Sequence, residues 1–252
     1  MIIDLVLIGC GGTGGCFFSR MVRFLSDMKF TNMEFKMRII DGDYVEYKNL
    51  GRQPFIESDI GENKAVALAS AAMETLDIKI KAYPFFLSHE NKRILHRKTE
   101  NFNNTDIQIL VGAVDNHACR KLLHGYYKHY CSSGTLFYLD SANEFSCGEI
   151  VIGKRTAHEI SSPDRVHYYP EILEDESKPV YEMSCEELNM AAPQHLATNS
   201  MAADLLFAYV SQLLIAGPNA VNAVGGIIYF DVFKFFSRFD VYKEEYHGKI
   251  QI

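Results

Sequence analysis

The residues best suited to chemistry lie close together in the segment "DGDYVEYKNLGRQPF" at residues 41–55. The segment carries two acids, followed by an arginine among amides: Asp41, Asp43, Asn49, Arg52 and Gln53. One acid could hold the hydroxyl groups of a ribose. An arginine and amides are suited to binding a triphosphate and to stabilising the charge that develops when its α-phosphate is attacked. The segment therefore indicates a nucleotide site that takes ATP.

Two further charged residues extend this pattern. Lys64, in "GENKA", lies at the start of a predicted helix, and Asp115 ends the buried segment "DIQILVGAVD". In open parallel sheets, ligands bind at the carboxyl edge of the strands, where a carboxylate can hold Mg²⁺ against phosphates. Each residue alone would be read as ordinary surface charge. Their order along the chain favours a shared site.

A glycine-rich turn precedes these residues in "LVLIGCGGTGG" at residues 5–15, where the glycines follow the pattern G-x-G-G-x-G: Gly9, Gly11, Gly12 and Gly14. Glycine permits a tight turn, and the N-terminus of the following helix offers free N–H groups to an anion. Asp41 follows Gly14 by 27 residues, later than the roughly 20 of the dinucleotide fingerprint. A glycine cluster that only packs at a strand–helix turn is the alternative.

The elements that position these residues alternate between strand and helix over about the first 140 residues. Strands are predicted at 2–8, 35–41, 78–84, 106–115 and 135–142, and helices at 16–25, 63–76 and 116–130. Such alternation indicates right-handed βαβ units and a parallel sheet. We therefore expect an α/β, Rossmann-like fold with a mostly parallel sheet and helices on both faces.

The second half of the chain follows a different pattern. A strand at 147–153 precedes a polar, proline-containing stretch at 154–184, which predicts a long, mobile crossover loop. A helix at 198–217 with a Thr or Asn cap, and two antiparallel strands within 225–243, complete the chain. We expect one domain over residues 1–252, with a nucleotide-binding half at 1–140 and a second half at 141–252.

Composition excludes several other classes of protein. The net charge of −7 argues against a nucleic-acid binder, and the basic cluster at 91–98 is typical of a solvated helix face. The six cysteines are scattered and form no Cys-x-x-Cys pair, so we expect no zinc and a reducing, cytoplasmic location. No stretch is predicted to be long and apolar enough to span a bilayer, and no membrane partner is expected.

Together, the glycine pattern, the segment 41–53, Lys64 and the strand that ends in Asp115 resemble the ThiF/MoeB and ubiquitin-activating enzyme superfamily over about residues 5–120. "NLGRQPF" and "GENKA" look most like the ThiF-like members of bacterial PRTRC systems. The resemblance implies a homodimer that adenylates a carboxylate with ATP and Mg²⁺. The substrate is usually the C-terminal glycine of a ubiquitin-like or small sulfur-carrier-like protein, and the products are an acyl-adenylate and pyrophosphate.

The resemblance also implies roles for individual residues. Asp41 would hold the ribose, Asp115 would hold Mg²⁺, and Asp43 is interpreted as structural or supporting. The phosphates would be bound by the glycine turn and by Asn49, Arg52, Gln53 and Lys64. The sequence has no Cys-x-x-Cys pair, whereas many members have two. We also expect the protein to differ from many members in having neither an arginine-bearing helix before the first strand nor an appended sulfurtransferase or ubiquitin-fold domain. We expect that arginine to be missing or supplied from elsewhere.

Three questions stay open from the sequence. Many members of the superfamily pass the acyl group to a cysteine near the crossover loop; for Cys185 a thioester and a purely structural role are equally supported, while a structural role is favoured for the nearby His195. An NAD-dependent oxidoreductase is one alternative function, but it would need a single acid without the N-L-x-R-Q cluster. A non-catalytic ThiF-fold binding partner is another, but such partners tend to lose the Arg, Lys or Asp.

Overall fold

The computed structural model describes residues 1–27, 33–76, 80–96, 106–176 and 195–243. In these residues nine strands form one sheet: β1 (Ile2–Ile8), β2 (Glu34–Ile40), β3 (Lys81–Tyr83), β4 (Ile107–Gly112), β5 (Thr135–Asn143), β6 (Cys147–Arg155), β7 (Ile160–Ser162), β8 (Gly226–Asp231) and β9 (Phe236–Val241). The helices are α1 (Gly12–Asp27), α2 (Lys64–Leu76), α3 (His117–Lys128), α4 (Arg165–Tyr168) and α5 (Leu196–Ala216).

The sheet has a parallel part and an antiparallel part. Its order is β3-β2-β1-β4-β5-β6-β8-β9, with β7 paired to β6. The first five strands in this order pair in parallel, whereas β6, β8 and β9 are antiparallel to their neighbours. Ile8 pairs with both Ile40 and Gly112, so the carboxyl ends of the three central strands lie at the same level. The expected mostly parallel α/β fold with C-terminal antiparallel strands is confirmed.

Alternating residues of the strands pack against helices on opposite faces of the sheet. Leu5 and Leu7 of β1 lie in the core cluster formed with helices α1, α2 and α5. Val6 and Ile8 face the other way and pack with α3, including Leu123. This period of two within one buried strand is what a sheet covered on both faces requires. The prediction of helices on both faces is therefore confirmed.

A polar network crosses the middle of this apolar sheet. Asp4, fully buried in β1, accepts hydrogen bonds from Arg38 of β2 at 3.0 and 2.5 Å and from Gln108 of β4 at 2.9 Å. The hydroxyl of Tyr126 on α3 donates to the Gln108 side chain at 2.6 Å. Asp4 therefore joins three neighbouring strands, although in the sequence it only interrupts an apolar run.

The predicted crossover loop at 154–184 is wrong in its first part. Strand β6 continues to Arg155, β7 pairs with it, and α4 is followed by a short 3-10 turn at Pro170–Leu173. Buried tertiary contacts hold these strands and turns in place. The polar composition of the stretch does not predict those contacts. The second part of the predicted loop, from residue 177, lies outside the described residues.

The long helix α5 corrects two other expectations. It begins at Leu196, and its N-cap is His195, whose Nδ1 accepts from the backbone N–H of Ala197 at 3.2 Å; Thr198 and Asn199 lie inside the helix. By length and composition the helix could cross a membrane, contrary to prediction. In this structure one side of the helix packs on α1 and the sheet, with Leu206, Val210 and Leu214 in the core, whereas Leu196 and Ile215 are exposed.

Other boundaries shift by a few residues. Helix α1 begins at Gly12 instead of 16, so the last glycines of the turn belong to its first turn. Strand β4 ends at Gly112, three residues before Asp115, and β3 is shorter than predicted. The basic cluster at 91–98 contains a 3-10 turn at Lys92–Leu95 where a helix face was expected.

Candidate nucleotide site

The four glycines of the turn have different physical reasons to be glycine. Gly9 has a φ of +90°, and a Cβ there would lie 2.3 Å from the carbonyl oxygen of Ala113; a Cβ on Gly14 would lie 1.9 Å from the carbonyl oxygen of Gly9. These two glycines close the turn itself. A Cβ on Gly11 would find no atom closer than the Gln53 side-chain nitrogen at 3.9 Å. Gly11 is therefore the glycine whose surroundings leave room for a ligand.

Gly12 makes room for a side chain of α5. A Cβ at this position would lie 2.4 Å from Nδ2 of Asn199. The same asparagine accepts a hydrogen bond from Thr13 at 3.3 Å and one from Asn143 at 3.2 Å, and Asn143 also donates to the Thr13 hydroxyl at 2.8 Å. The cluster cannot be recognised from the sequence, because its members are far apart in the chain. It joins the glycine turn to β5 and to the start of α5.

Asp41 lies at the carboxyl end of β2, directly beside the glycine turn. Its carboxylate accepts from the backbone N–H of Cys10 at 2.5 Å and from that of Asp43 at 2.7 Å. Burial raises the pKa of Asp41 to about 6, the nearby Lys64 ammonium opposes that rise, and Asp43 adds to it. The group is therefore a buried carboxylate poised to ionise near neutral pH, as binding-site acids often are.

Lys64 and Asp43 form an ion pair at the same edge of the sheet. Lys64 is 7% exposed, and its Nζ lies 3.0 Å from Oδ2 of Asp43. Asp43 therefore holds the ammonium in place, which fits the structural or supporting role predicted for it. Asn63, which the sequence analysis did not single out, precedes Lys64 and hydrogen-bonds the backbone at both Asp41 and Asp43.

The loop between β2 and α2, residues 41–63, brings Arg52 and Gln53 to the glycine turn. Pro54 packs on α1, since a Cβ on Gly15 would lie 2.9 Å from its ring. The Nε of Arg52 and the Oε1 of Gln53 are buried and have no hydrogen-bond partner among the described residues. Nδ1 of His117 and Nε of Arg165 also lack a hydrogen bond, but Arg165 is ion-paired with Asp140 and Glu149. Because buried polar groups nearly always have partners, the Arg52 and Gln53 atoms are suited to contact with a ligand.

Asn49 is placed differently from the other loop residues predicted to bind phosphate. It is 3% exposed, and its Oδ1 accepts from the backbone N–H of Glu46 at 2.8 Å. Its carbonyl oxygen accepts from the backbone N–H groups of Arg52 and Gln53 at 3.0 and 2.9 Å. In this structure Asn49 therefore braces the loop that presents its neighbours, and its contact with phosphate stays a prediction.

Asp115 is exposed beyond the end of β4. Its carboxylate forms no hydrogen bond or ion pair with any residue that the structure describes. In the described ranges no group of three or more His, Cys, Asp or Glu side chains is arranged to hold a metal ion. Asp115 shares the carboxyl edge with the glycine turn and Asp41, but its carboxylate makes no direct contact with the other candidate residues.

A second polar cluster lies at the same edge near β5. Asp140, 1% exposed, accepts from Tyr138 at 2.8 Å and from Arg120 at 3.2 Å, and Nε of Arg165 lies 3.1 Å from its Oδ1. Arg165 also pairs with Glu149. This buried ion network anchors α4 to the sheet, and it was not predicted.

The structure describes five of the six cysteines. Cys185 lies outside the described residues, so its role stays a prediction. Burial raises the thiol pKa of Cys10, Cys16 and Cys147, and raises that of Cys119 to about 12. Because the thiolate is the nucleophile, these four are poor candidates for an acyl acceptor. Cys131 is exposed.

The fold and site define an α/β protein with a glycine turn between β1 and α1, an acid at the end of β2, and buried polar atoms without hydrogen bonds beside the turn. The chain belongs to the ThiF family, whose profile matches residues 3–238. No curated protein sequence matches it at a significant level.

Several solved structures have a similar fold. PaaA superposes with a TM-score of 0.60 at 17% identity, over 94% of this chain and 63% of that chain. E. coli MccB with ATP gives 0.57 at 17% identity, over 94% and 62%. The microcin C7 biosynthetic enzyme MccB in complex with N-formylated MccA gives 0.58 at 17%, over 94% and 64%. The chain thus spans less than two thirds of these proteins, and at this identity the likeness shows the fold alone.

Proposed function

We propose that this protein adenylates a carboxylate with ATP. The observation that carries the proposal is the pair of buried, unpartnered atoms, Nε of Arg52 and Oε1 of Gln53, on a loop packed against the glycine turn. A guanidinium and an amide presented there suit phosphate oxygens. Membership of the ThiF family and the structural likeness to MccB, which was solved with ATP and with AMPCPP, support the same function.

The nucleotide would bind along the carboxyl edge of the sheet. Its ribose hydroxyls would donate to Asp41, whose carboxylate is ionised above a pH of about 6. Its phosphates would lie over Gly11 and the N-terminus of α1, where free N–H groups favour anions. Lys64, held by Asp43 at 3.0 Å, would neutralise part of the triphosphate charge.

The reaction needs no general base from the protein. An oxygen of the ionised carboxylate attacks the α-phosphorus, the new O–P bond forms, and the bond to the β-phosphate oxygen breaks. The electron pair leaves on pyrophosphate, and the acyl-adenylate remains bound. Positioning of the two reactants and stabilisation of charge on the phosphates by Arg52 and Lys64 would supply the catalysis.

Asp115 fits the magnesium ion that this reaction implies. Its carboxylate is exposed at the carboxyl end of β4 and is engaged with no described residue. Mg²⁺ is usually held by one or two carboxylates together with substrate phosphates, so a single acid is sufficient. When bound, the ion neutralises phosphate charge. Asp115 would orient it from the protein side.

The acceptor carboxylate is proposed to be the C-terminus of a peptide or a small protein. MccB was solved with MccA, which supports a substrate of this kind. A ubiquitin-like or sulfur-carrier-like protein that ends in glycine is the finer proposal, as are a PRTRC-type context, a cytoplasmic location and a homodimer. Light scattering that shows an active monomer at micromolar concentration would exclude the homodimer.

The oxidoreductase alternative loses support from these observations. Asp41 is followed by the N-L-x-R-Q cluster, and the chain belongs to the ThiF family. A non-catalytic partner is disfavoured because Arg52, Lys64 and Asp115 are all present. We therefore expect binding of ATP with Mg²⁺ and negligible binding of NAD. Calorimetry with both ligands checks this expectation.

Pyrophosphate exchange tests the chemical step. A candidate partner with a free C-terminal carboxylate should support exchange of labelled pyrophosphate into ATP, whereas the same partner with an amidated C-terminus should not. The amidated partner is the matched control, because only the nucleophile differs. Exchange that is equal with both partners would show that this carboxylate is not the acceptor.

Cys185 can be tested separately from adenylation. Adenylation precedes acyl transfer and does not use the thiol, so Cys185→Ala should leave pyrophosphate exchange almost intact. If Cys185 is the acceptor, the same variant should lose a thiol-sensitive conjugate with the partner on a non-reducing gel. A conjugate that persists in Cys185→Ala would point to another cysteine, of which Cys131 is the exposed one in the described part of the chain. Absence of a conjugate in the wild type would leave Cys185 structural.

A further inference from the structure

We propose that Asn63 is a positioning residue. It would fix the position of Asp41, the proposed ribose ligand, relative to Lys64, the proposed phosphate ligand. The proposal rests on the function proposed above. Asn63 is 6% exposed and is the last residue of the loop 41–63, directly before α2. Its side chain contacts the backbone on two sides of the site, after β2 and at the start of α2. It is not one of the groups proposed to touch the nucleotide.

The donor end of the Asn63 side chain holds the backbone after β2. Its Nδ2 donates to the carbonyl oxygen of Asp41 at 2.9 Å and to that of Asp43 at 3.0 Å. The same stretch of chain is closed by the backbone N–H of Lys64, which donates to the Asp43 carbonyl at 2.9 Å. The direction of the Asp41 carboxylate, and of the Asp43 carboxylate that pairs with Lys64, therefore depends on this amide.

The acceptor end of the same side chain caps α2. Its Oδ1 accepts from the backbone N–H of Ala65 at 3.0 Å and from that of Val66 at 3.2 Å, the two groups that an N-cap residue satisfies. Lys64 is the first residue of that helix. One rigid amide thus fixes the start of the helix that carries Lys64 relative to the end of the strand that presents Asp41.

No other small side chain can do both tasks. Serine and aspartate are good N-caps but lack the two N–H donors that reach the carbonyls of Asp41 and Asp43. Aspartate would in addition place a third carboxylate beside Asp41 and Asp43 and further disfavour ionisation of Asp41. Asn63→Ser should therefore keep the cap on α2 but lose the contacts with the carbonyls of Asp41 and Asp43. It is the informative variant.

The test measures binding of two partial ligands and of ATP by calorimetry. Adenosine tests the ribose contact with Asp41, and inorganic tripolyphosphate tests the phosphate contact with Lys64. Asn63→Ser keeps the cap but loses the hydrogen bonds to the carbonyls of Asp41 and Asp43. It should weaken both ligands by about tenfold, because that backbone orients the Asp41 carboxylate and the Asp43 carboxylate that pairs with Lys64. Lys64→Met should weaken tripolyphosphate much more than adenosine, whose binding it affects only through the pKa of Asp41. Asn63→Asp should weaken adenosine more at pH 6 than at pH 8.

A matched control separates positioning from loss of stability. Val210→Ala, at a buried apolar position of α5 that is not among the candidate site residues, should lower the melting temperature without changing either affinity. If Asn63→Ser binds adenosine and tripolyphosphate as the wild type does, or loses them no more than Val210→Ala, the inference is overturned. A wild type that binds no ATP would instead overturn the proposed function, and the inference with it.

Discussion

Two clusters of buried polar residues lie at the carboxyl edge of the sheet, and they differ in whether their side chains have partners. Around Asp140 each charged side chain faces an opposite charge: Tyr138 and Arg120 donate to the carboxylate, and Arg165 is ion-paired with it and with Glu149. The Nε of Arg165 lies 3.1 Å from the carboxylate but makes no hydrogen bond. In the loop after β2, Nε of Arg52 and Oε1 of Gln53 are buried without a partner among the described residues.

Residue type alone therefore does not distinguish a binding site from a structural network. Both clusters contain arginine at the same edge of one sheet, where ligands of such folds bind. A buried network in which each charge already faces an opposite charge gains little from a ligand, whereas buried polar atoms with no partner carry a cost that a ligand can remove. This difference is the reason why the proposed site includes the loop after β2, whereas a structural role is proposed for the Asp140 cluster.

The largest effect is expected at the paired cluster. Asp140→Ala would leave two buried guanidinium groups without their carboxylate, and loss of one partner of a buried pair costs about 3–5 kcal/mol of unfolding free energy. ATP affinity of the remaining folded protein should stay near that of the wild type. Urea denaturation and calorimetry measure the two quantities.

The control for this change is Asp240→Ala. Asp240 pairs with Arg238 at 2.7 Å on the surface, with its side chain 47% exposed. Such a pair contributes about 0–1 kcal/mol. If Asp140→Ala were as stable as Asp240→Ala but lost ATP binding, the Asp140 cluster would belong to the site and the distinction drawn here would be wrong.

The next largest effect is expected at Arg52, where activity should fall and stability should not. Arg52→Ala should lower the rate of pyrophosphate exchange by about 10²–10³-fold, by analogy with loss of one donor to a developing oxyanion. Its unfolding free energy should not fall, because the Nε has no partner to lose. Arg23→Ala, an exposed arginine on α1, is the control and should change neither quantity. Unchanged exchange in Arg52→Ala would remove that residue from the mechanism.

The sequence predicted the first half of the fold well for a physical reason. Buried parallel strands such as β1 read as continuous apolar runs, and the glycine turn, Asp41 and Lys64 lie within a few residues of the ends of such elements. The positions of these residues at one edge of the sheet follow from strand order. Their placement could therefore be predicted without side-chain contacts.

The parts that could not be predicted depend on contacts between distant segments. Thr13, Asn143 and Asn199 meet although 130 and 186 residues separate Thr13 from the other two. The polar composition of the predicted crossover loop concealed α4, whose Arg165 is buried against Asp140. A polar residue that is buried by a distant partner has the same local pattern as a loop residue, so the sequence alone does not distinguish them.

A smaller effect separates two glycines of the same turn. Gly14→Ala should lower the unfolding free energy by about 1–3 kcal/mol, since its Cβ would lie 1.9 Å from the carbonyl oxygen of Gly9. Gly11→Ala should leave stability unchanged, because the nearest atom to its Cβ is 3.9 Å away, yet it should weaken ATP by filling the space proposed for phosphate. Thermal denaturation and calorimetry of both variants measure this. Normal ATP affinity in Gly11→Ala would show that the phosphates do not approach that residue.

The smallest effect is a pH dependence that sharpens the role of Asp41. Burial raises its pKa to about 6, so the carboxylate is mostly protonated at pH 5 and mostly ionised at pH 7. If only the ionised form accepts from the ribose hydroxyls, adenosine should bind about tenfold more weakly at pH 5 than at pH 7. Adenosine is the appropriate ligand because it carries no phosphate that titrates in this range. Asp41→Asn should bind weakly at both values, with a flat profile. A flat profile in the wild type would place the ribose away from Asp41.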